Sequence, residues 1–262
     1  MPTTYTHDLF GKEVYKRMPG EAKKIIKKHR ELYRIGLQGP DILFYYMVSK
    51  NPVSQFGVDM HNEKARAFFE QGMDQVRENK DEELLAYLLG FACHYLLDSA
   101  CHPFVNRMDE EGVISHTNLE KEFDRYLMIE TGKNPFHYYP SDSIVPKRKY
   151  AKVIHRAIPL VRTANIHISL KMMKFLTNLM VCDDHEKRRN FLCSIAKGKK
   201  LSGLMEHFMT EKPLEEAAEP MAELERLYRE AIEDVPACLE ELLTLAEGEY
   251  RLSARWNRTY NG

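Results

Sequence analysis

Apolar residues recur at helical spacing along almost the whole chain. In EAKKIIKKHRELYRI, residues 21–35, Ala22, Ile25, Ile26, Leu32 and Tyr33 share one face and Gly36 is a natural stop, which predicts a helix there. GLQGPDILFYY follows; Gly36 and Gly39 mark a turn, Pro40 is placed to open a short helix, and Asp41 falls in its first turn, where the helix dipole favours a carboxylate. Ala65, Phe68, Phe69, Met73 and Val76 predict an amphipathic helix over 59–78. The most apolar helix is DEELLAYLLGFACHYLLDSAC, residues 81–101, with an acidic start. A further helix over 115–130 turns Leu119, Phe123, Tyr126, Leu127 and Ile129 inward, with Ser115 or Thr117 as its cap; Thr117 and Glu120 have capping-box spacing. Residues 132–149, GKNPFHYYPSDSIVPKRK, carry Pro135, Pro140 and Pro146 and no period, as a boundary or a lid does. From 148 to 262 the helical pattern resumes, punctuated by Pro159, Pro213, Pro220 and Pro236 and acidic between Glu215 and Glu249. No segment alternates with a period of two, so the predicted fold is all-α. Residues 1–133 form one helical half, and residues 134–262 a second half packed on the same domain.

Composition narrows the class. The 262 residues are 44% hydrophobic and 29% charged, an ordinary globular balance. A formal net charge of -1 supplies no basic excess, and no stable nucleic-acid partner is expected. No run of about 18 apolar residues occurs, so no spanning helix is expected. The start, MPTTYTHDLF, lacks the basic-then-apolar plan of a signal peptide, which leads to the expectation of a cytoplasmic protein. Five cysteines, Cys93, Cys101, Cys182, Cys193 and Cys238, include no CxxC pair and read as reduced thiols, with Cys93 and Cys101 as small buried hydrophobes.

Histidine carries the chemistry. In HYLLDSACH, His94, Asp98 and His102 are spaced i, i+4, i+8, and at about 100° per residue they form one stripe on an otherwise apolar helix. A buried aspartate between two imidazoles costs several kcal/mol unless its charge is met, and a divalent metal meets it. His116 and Glu120 repeat the pairing on the next helix, and nitrogen with carboxylate ligands suits zinc. Taken singly, each feature has a plainer reading: a lone histidine on an apolar face is most often a satisfied core residue, and an HxxxD or HxxxE pair is often a helix-surface contact. The two together outweigh it. Two adjacent ions clamp phosphate esters and generate hydroxide near neutral pH.

HYLLDSACHPFVN, then SHTNLEKEFDRY, preceded by GLQGPDILFYY and THDLFG, resemble the zinc-dependent phospholipase C family, which includes related single-strand nucleases, over residues 5–130. The resemblance implies that His61, His94, Asp98 and Asp41 hold one zinc and that His102, His116 and Glu120 hold a second. It further implies that Asp98 bridges to a third zinc held with His7, and that Asp41 is the general base or water-orienting group. The expected cofactor is two or three Zn2+ ions, or another divalent transition metal. Secreted members space the bridging aspartate and the next histidine more widely; four residues still keep His102 on the face of Asp98. Secreted members also ligate through a processed N-terminal tryptophan. This chain begins Met1-Pro2 and its only tryptophan is Trp256, so loss of Met1 would offer the Pro2 amine instead. Asp59 competes with His61 for its place, and His61 is preferred because the residues after it read as a helix. His29, His137, His155, His167, His185 and His207 lack a carboxylate at useful spacing and read as surface or core residues.

The expected protein is therefore a metal-dependent phosphoric ester hydrolase, phospholipase C-like, acting on a phospholipid or a small phosphate ester. Two other readings use the same residues: a nuclease or nucleotidase, which needs a basic track that KRK at 147–149 barely supplies, and a non-catalytic, metal-stabilised helical binding protein. Phe44, Tyr45, Tyr46 and Phe56 are available for a substrate pocket but serve equally well as core.

Overall fold

The structure, a computed structural model, describes residues 4–47, 52–181, 190, 191, 194, 206–248 and 251–262. Pro2, Cys182, His185 and Cys193 lie outside the described residues. Helices follow the apolar periodicity, and the described residues contain no strand. In order they are α1 (Thr4–Arg17), α2 (Gly20–Lys28), α3 (Arg30–Gly36), α4 (Val53–Asn62), α5 (Ala65–Asn79), α6 (Glu82–Glu110), α7 (His116–Glu130), α8 (Arg148–Ala157), α9 (Thr163–Leu179) and α10 (Ala218–Glu247). Short 3-10 turns lie at Gly39–Tyr45, Pro140–Ser143, Glu215–Ala217 and Ala254–Asn257.

α6 is the axle: α1, α3, α5, α7, α8 and α10 all pack on it. Asp81 caps it, its carboxylate accepting from the Leu84 N–H at 3.1 Å. The helix runs nine residues past its expected end at 101, straight through Pro103. Proline removes one N–H, but Phe104 and Val105 just beyond are buried, and their packing holds the last turns. At this length α6 reaches the size and apolarity of a membrane span by length and composition. Since 94% of its apolar window is buried inside the protein, its apolarity is that of a core helix.

α3 crosses α6 backbone to backbone. A Cβ at Gly90 would stand 2.1 Å from the Tyr33 carbonyl oxygen, and one at Gly36 would stand 2.2 Å from the Tyr87 carbonyl oxygen. Gly36 thus ends α3 as a contact point rather than as a left-handed cap. Gly90→Ala is expected to cost at least about 1–3 kcal/mol, since rigid backbone on both sides cannot yield; a urea unfolding curve measures it.

Several boundaries differ from the periodicity for local reasons. The helix expected over 21–35 breaks at His29 (φ -119°, ψ 40°). The one expected over 59–78 is two helices, because Glu63 is extended (φ -93°, ψ 153°). Ser115 alone caps α7, accepting from the Asn118 N–H at 3.3 Å, and Glu120 turns inward instead of closing a capping box. Pro236 sits inside α10 rather than ending it, with Val235 and Leu239 buried on either side. Residues 132–149 lie against α1 and α3: Asp142 pairs with Arg34 at 3.3 Å, and Tyr138 stands edge-on to Tyr5. One apolar core runs from Tyr5 to Tyr260 and takes residues from both halves of the chain.

Candidate metal centre

Five separate elements deliver the eight predicted side chains to one place. α6 presents His94, Asp98 and His102 as the expected stripe, all buried. α1 supplies His7, the 3-10 turn Gly39–Tyr45 supplies Asp41, and α7 supplies half-buried His116 and buried Glu120. His61 comes from the end of α4, so the helix precedes it rather than follows it. Asp59, its competitor, is exposed and accepts from Gln55 at 2.9 Å.

Asp98 is the hub. One of its oxygens lies 3.3 Å from His7 Nε2 and 3.6 Å from His102 Nε2; the other lies 2.9 Å from His94 Nε2 and 3.9 Å from His61 Nε2. Glu120 Oε1 lies 3.3 Å from His102 Nε2 and 3.1 Å from His116 Nε2. Asp41 Oδ1 lies 3.2 Å from His61 Nε2. Three clusters have donor atoms within 4.8 Å of one another: His7–Asp41–His94, His61–His94–Asp98 and His102–His116–Glu120. The resemblance implied His7 with Asp98; His7 meets Asp41 and His94 as well, their rings stacked at 4.2 Å between centroids.

This donor set fits zinc on three counts. All five imidazoles point Nε2 at a carboxylate, and three are held from behind: Nδ1 of His61 faces the Gly57 carbonyl at 2.8 Å, that of His94 the Leu37 carbonyl at 3.3 Å, and that of His116 the Asn106 side-chain oxygen at 2.9 Å. Such backing fixes the tautomer of a metal-binding histidine. Second, His94 Nε2 and Asp41 Oδ1 are buried beside opposite partners yet make no hydrogen bond, and their residues form a donor cluster with His7. Third, His7, Asp98, His102 and Glu120 line a cavity of about 20 Å³, room for one water or ion.

The electrostatics agree with the geometry. Burial alone would raise the Asp98 carboxyl, but His102, His94 and His7 outweigh it and hold it well below the usual range. Asp41 and Glu120 are likewise held down against burial, and His61 with His94 contribute at the first and His116 with His102 at the second. In return, Asp41 lifts His61 and Glu120 lifts His116 above the ordinary imidazole value, again against burial.

Two residues that were not among the predicted ligands shape the centre. Gly39 has φ +50°, and a Cβ there would meet the His94 ring at 2.2 Å, so only glycine lets the turn carrying Asp41 lie on His94. Asp124 of α7 reaches the first turn of α1, accepting from Thr6 N–H at 2.9 Å, Thr6 Oγ1 at 2.6 Å and Tyr5 N–H at 3.3 Å. It caps in trans the helix that carries His7. Asp124→Ala is expected to lower stability by about 1–3 kcal/mol, checked by thermal or denaturant melts. The other described histidines stay outside the clusters; His207, for example, is pushed down to about 4 by burial.

A sequence model of the family described as zinc dependent phospholipase C matches residues 6–165, which include every one of these donors. The chain belongs to the zinc dependent phospholipase C family. No curated protein and no solved structure matches it. Family membership, taken with donor clusters that suit zinc, makes this member a zinc-dependent hydrolase of phosphoric esters in its general chemistry.

Proposed function

We propose that this protein is a phosphodiesterase that cleaves a phospholipid headgroup ester or a small phosphate ester, with Asp41 orienting the attacking water. The observation that carries the reading is the convergence of His7, Asp41, His61, His94, Asp98, His102, His116 and Glu120 from five elements onto one buried centre. In this reading His61, His94, Asp98 and Asp41 hold one ion and His102, His116 and Glu120 another, while Asp98 links the first to a third beside His7. Zinc, when bound, supplies positive charge to phosphoryl oxygens and lowers the pKa of water. The chain's own groups do the rest. The depressed carboxyl of Asp41 stays ionised at neutral pH, a weak base but a fixed acceptor able to orient water. His61 Nε2, 3.2 Å from Asp41, faces the same proposed ion as that carboxylate. Phe44 stacks on the His61 ring at 5.2 Å and, with half-buried Tyr46 and Phe56, offers an apolar wall for substrate; Tyr45 is fully buried and serves as core.

Metal analysis of the purified chain, paired with turnover of a chromogenic phosphocholine ester and of single-stranded DNA, tests the proposal. Two or three zinc ions with turnover of the ester support it. Turnover of DNA alone makes it a nuclease, zinc without turnover of either makes it a binding protein, and a folded chain free of zinc removes the premise.

A further inference from the structure

The last dozen residues lie outside the span that matches the family, yet they reach the metal centre. Residues 251–262 return across α5 and α6, held by several bonds. Trp256, fully buried, donates from Nε1 to Glu241 at 3.0 Å. Arg66 donates to the carbonyls of Leu252 and Ser253 at 2.7 and 2.6 Å. The Tyr95 hydroxyl donates to the Arg255 carbonyl at 2.8 Å, and the Ala65 N–H to the Arg258 carbonyl at 3.2 Å.

Beyond these anchors the segment touches the centre itself. The Tyr260 N–H donates to the His61 carbonyl at 3.2 Å, and the Asn261 amide donates to the same oxygen at 3.4 Å and to the Asn62 side chain at 3.2 Å. These bonds satisfy carbonyl and side-chain groups in the last turn of α4, which has no helical donors left for its final carbonyls. The buried Tyr260 ring lies 5.1 Å from the His61 ring and 6.0 Å from the His94 ring, backed by Tyr95 at 5.0 Å. A buried tyrosine near a chain end is most often core filling. This one differs because its backbone holds the main chain of one candidate ligand while its ring stands against the imidazoles of two.

We infer that Tyr260 is a positioning residue of the metal centre: through its ring and N–H, the C-terminal segment fixes His61 and His94 for the ion they share with Asp98. The inference rests on the metal reading above. Positioning groups behind metal ligands are worth about 10–100-fold in metal affinity. The Tyr260 hydroxyl is buried without a hydrogen-bond partner, so the ring and the N–H carry the effect, not the oxygen.

The experiment uses the full chain with Tyr260→Phe, Tyr260→Leu and Tyr260→Ala. Zinc per chain is measured against a chelator of fixed strength, and the visible spectrum is recorded after cobalt substitution. Tyr260→Phe should match the wild type in both. Tyr260→Ala should lose one ion at chelator concentrations at least about tenfold lower, with an altered cobalt spectrum, while the ion at His102, His116 and Glu120 stays. Where Tyr260→Ala fails to fold, Tyr260→Leu decides, since it keeps apolar volume and loses the flat ring. Wild-type zinc retention and spectrum in the variant that folds would overturn the inference. A wild-type chain without zinc overturns the metal reading instead, a separate outcome.

Discussion

Asp98→Asn is expected to strip zinc from the His61–His94–Asp98 cluster, to weaken the site beside His7, and to lower kcat/KM by at least about 10³-fold, about 4 kcal/mol of transition-state stabilisation. Among the described residues, Asp98 is the only carboxylate within 4.0 Å of His7, His61, His94 and His102 together. An asparagine keeps the shape but offers one oxygen and no charge, so it cannot serve ions on both sides. His116→Ala makes the contrast. His116 Nε2 meets Glu120 and the residue is half-buried and outside the other two clusters, so its loss should remove one ion and leave the His61–His94–Asp98 cluster loaded. Stability should fall with activity. In metal-free protein the ionised Asp98, held well below its usual range by its imidazoles, contributes to the fold, so metal-free Asp98→Asn should be less stable than metal-free wild type in mildly acidic solution. Atomic absorption, turnover and melts with and without chelator read all three effects. Full zinc in Asp98→Asn would sink its role as the shared ligand.

What made the centre legible was spacing within single helices. His94, Asp98 and His102 needed only a helical period and an apolar background to be placed on one stripe, and His116 with Glu120 needed one helix more. Asp41, His61 and His7 were assigned through resemblance, because no local period joins residues on three different elements. The all-α fold followed from the same periodicity, yet its breaks did not. His29 and Glu63 interrupt helices at residues that carry no helix-breaking signal, and Pro103 and Pro236 sit inside helices where proline reads as a stop. In each proline case, tertiary burial of neighbours outweighs one missing hydrogen bond. Gly39 was legible as a turn but not as the seat of His94, since its neighbour lies 55 positions away in the chain. The roles of Asp124, although it lies within SHTNLEKEFDRY, and of Tyr260 had no signal of their own. A capping carboxylate acting on another helix, and an aromatic ring arriving from the far end of the chain, are products of packing alone.

Stripped of metal, the protein should be most stable in mildly acidic solution and should weaken as the pH rises from 6 to 8; zinc should abolish most of that loss. The centre holds three buried carboxylates, Asp41, Asp98 and Glu120, each held below its ordinary value, with imidazoles contributing at all three. Groups shifted that way contribute stability that is complete above about pH 4.5 and is lost as the pH falls. His61 and His116 are shifted upward, so what they contribute is complete below about pH 6.5 and is lost as the pH rises through their raised values. Between those limits the imidazoles are charged and the carboxylates ionised, and each balances the other. Above them the rings go neutral, and buried carboxylates face no cation, at a cost of several kcal/mol. Zinc replaces protons as the balancing charge and binds neutral imidazole, so its affinity grows over the same range and its binding releases protons. Asp124, raised to about 7 by burial, also weakens the fold as the pH rises toward 7, but independently of zinc. Asp124→Ala therefore isolates the part that belongs to the centre. Thermal melts at pH 5, 6, 7 and 8, with chelator or with excess zinc, measure the effect. Chelated protein as stable at pH 8 as at pH 6, in the Asp124→Ala background, would show that protonated imidazoles do not balance these carboxylates.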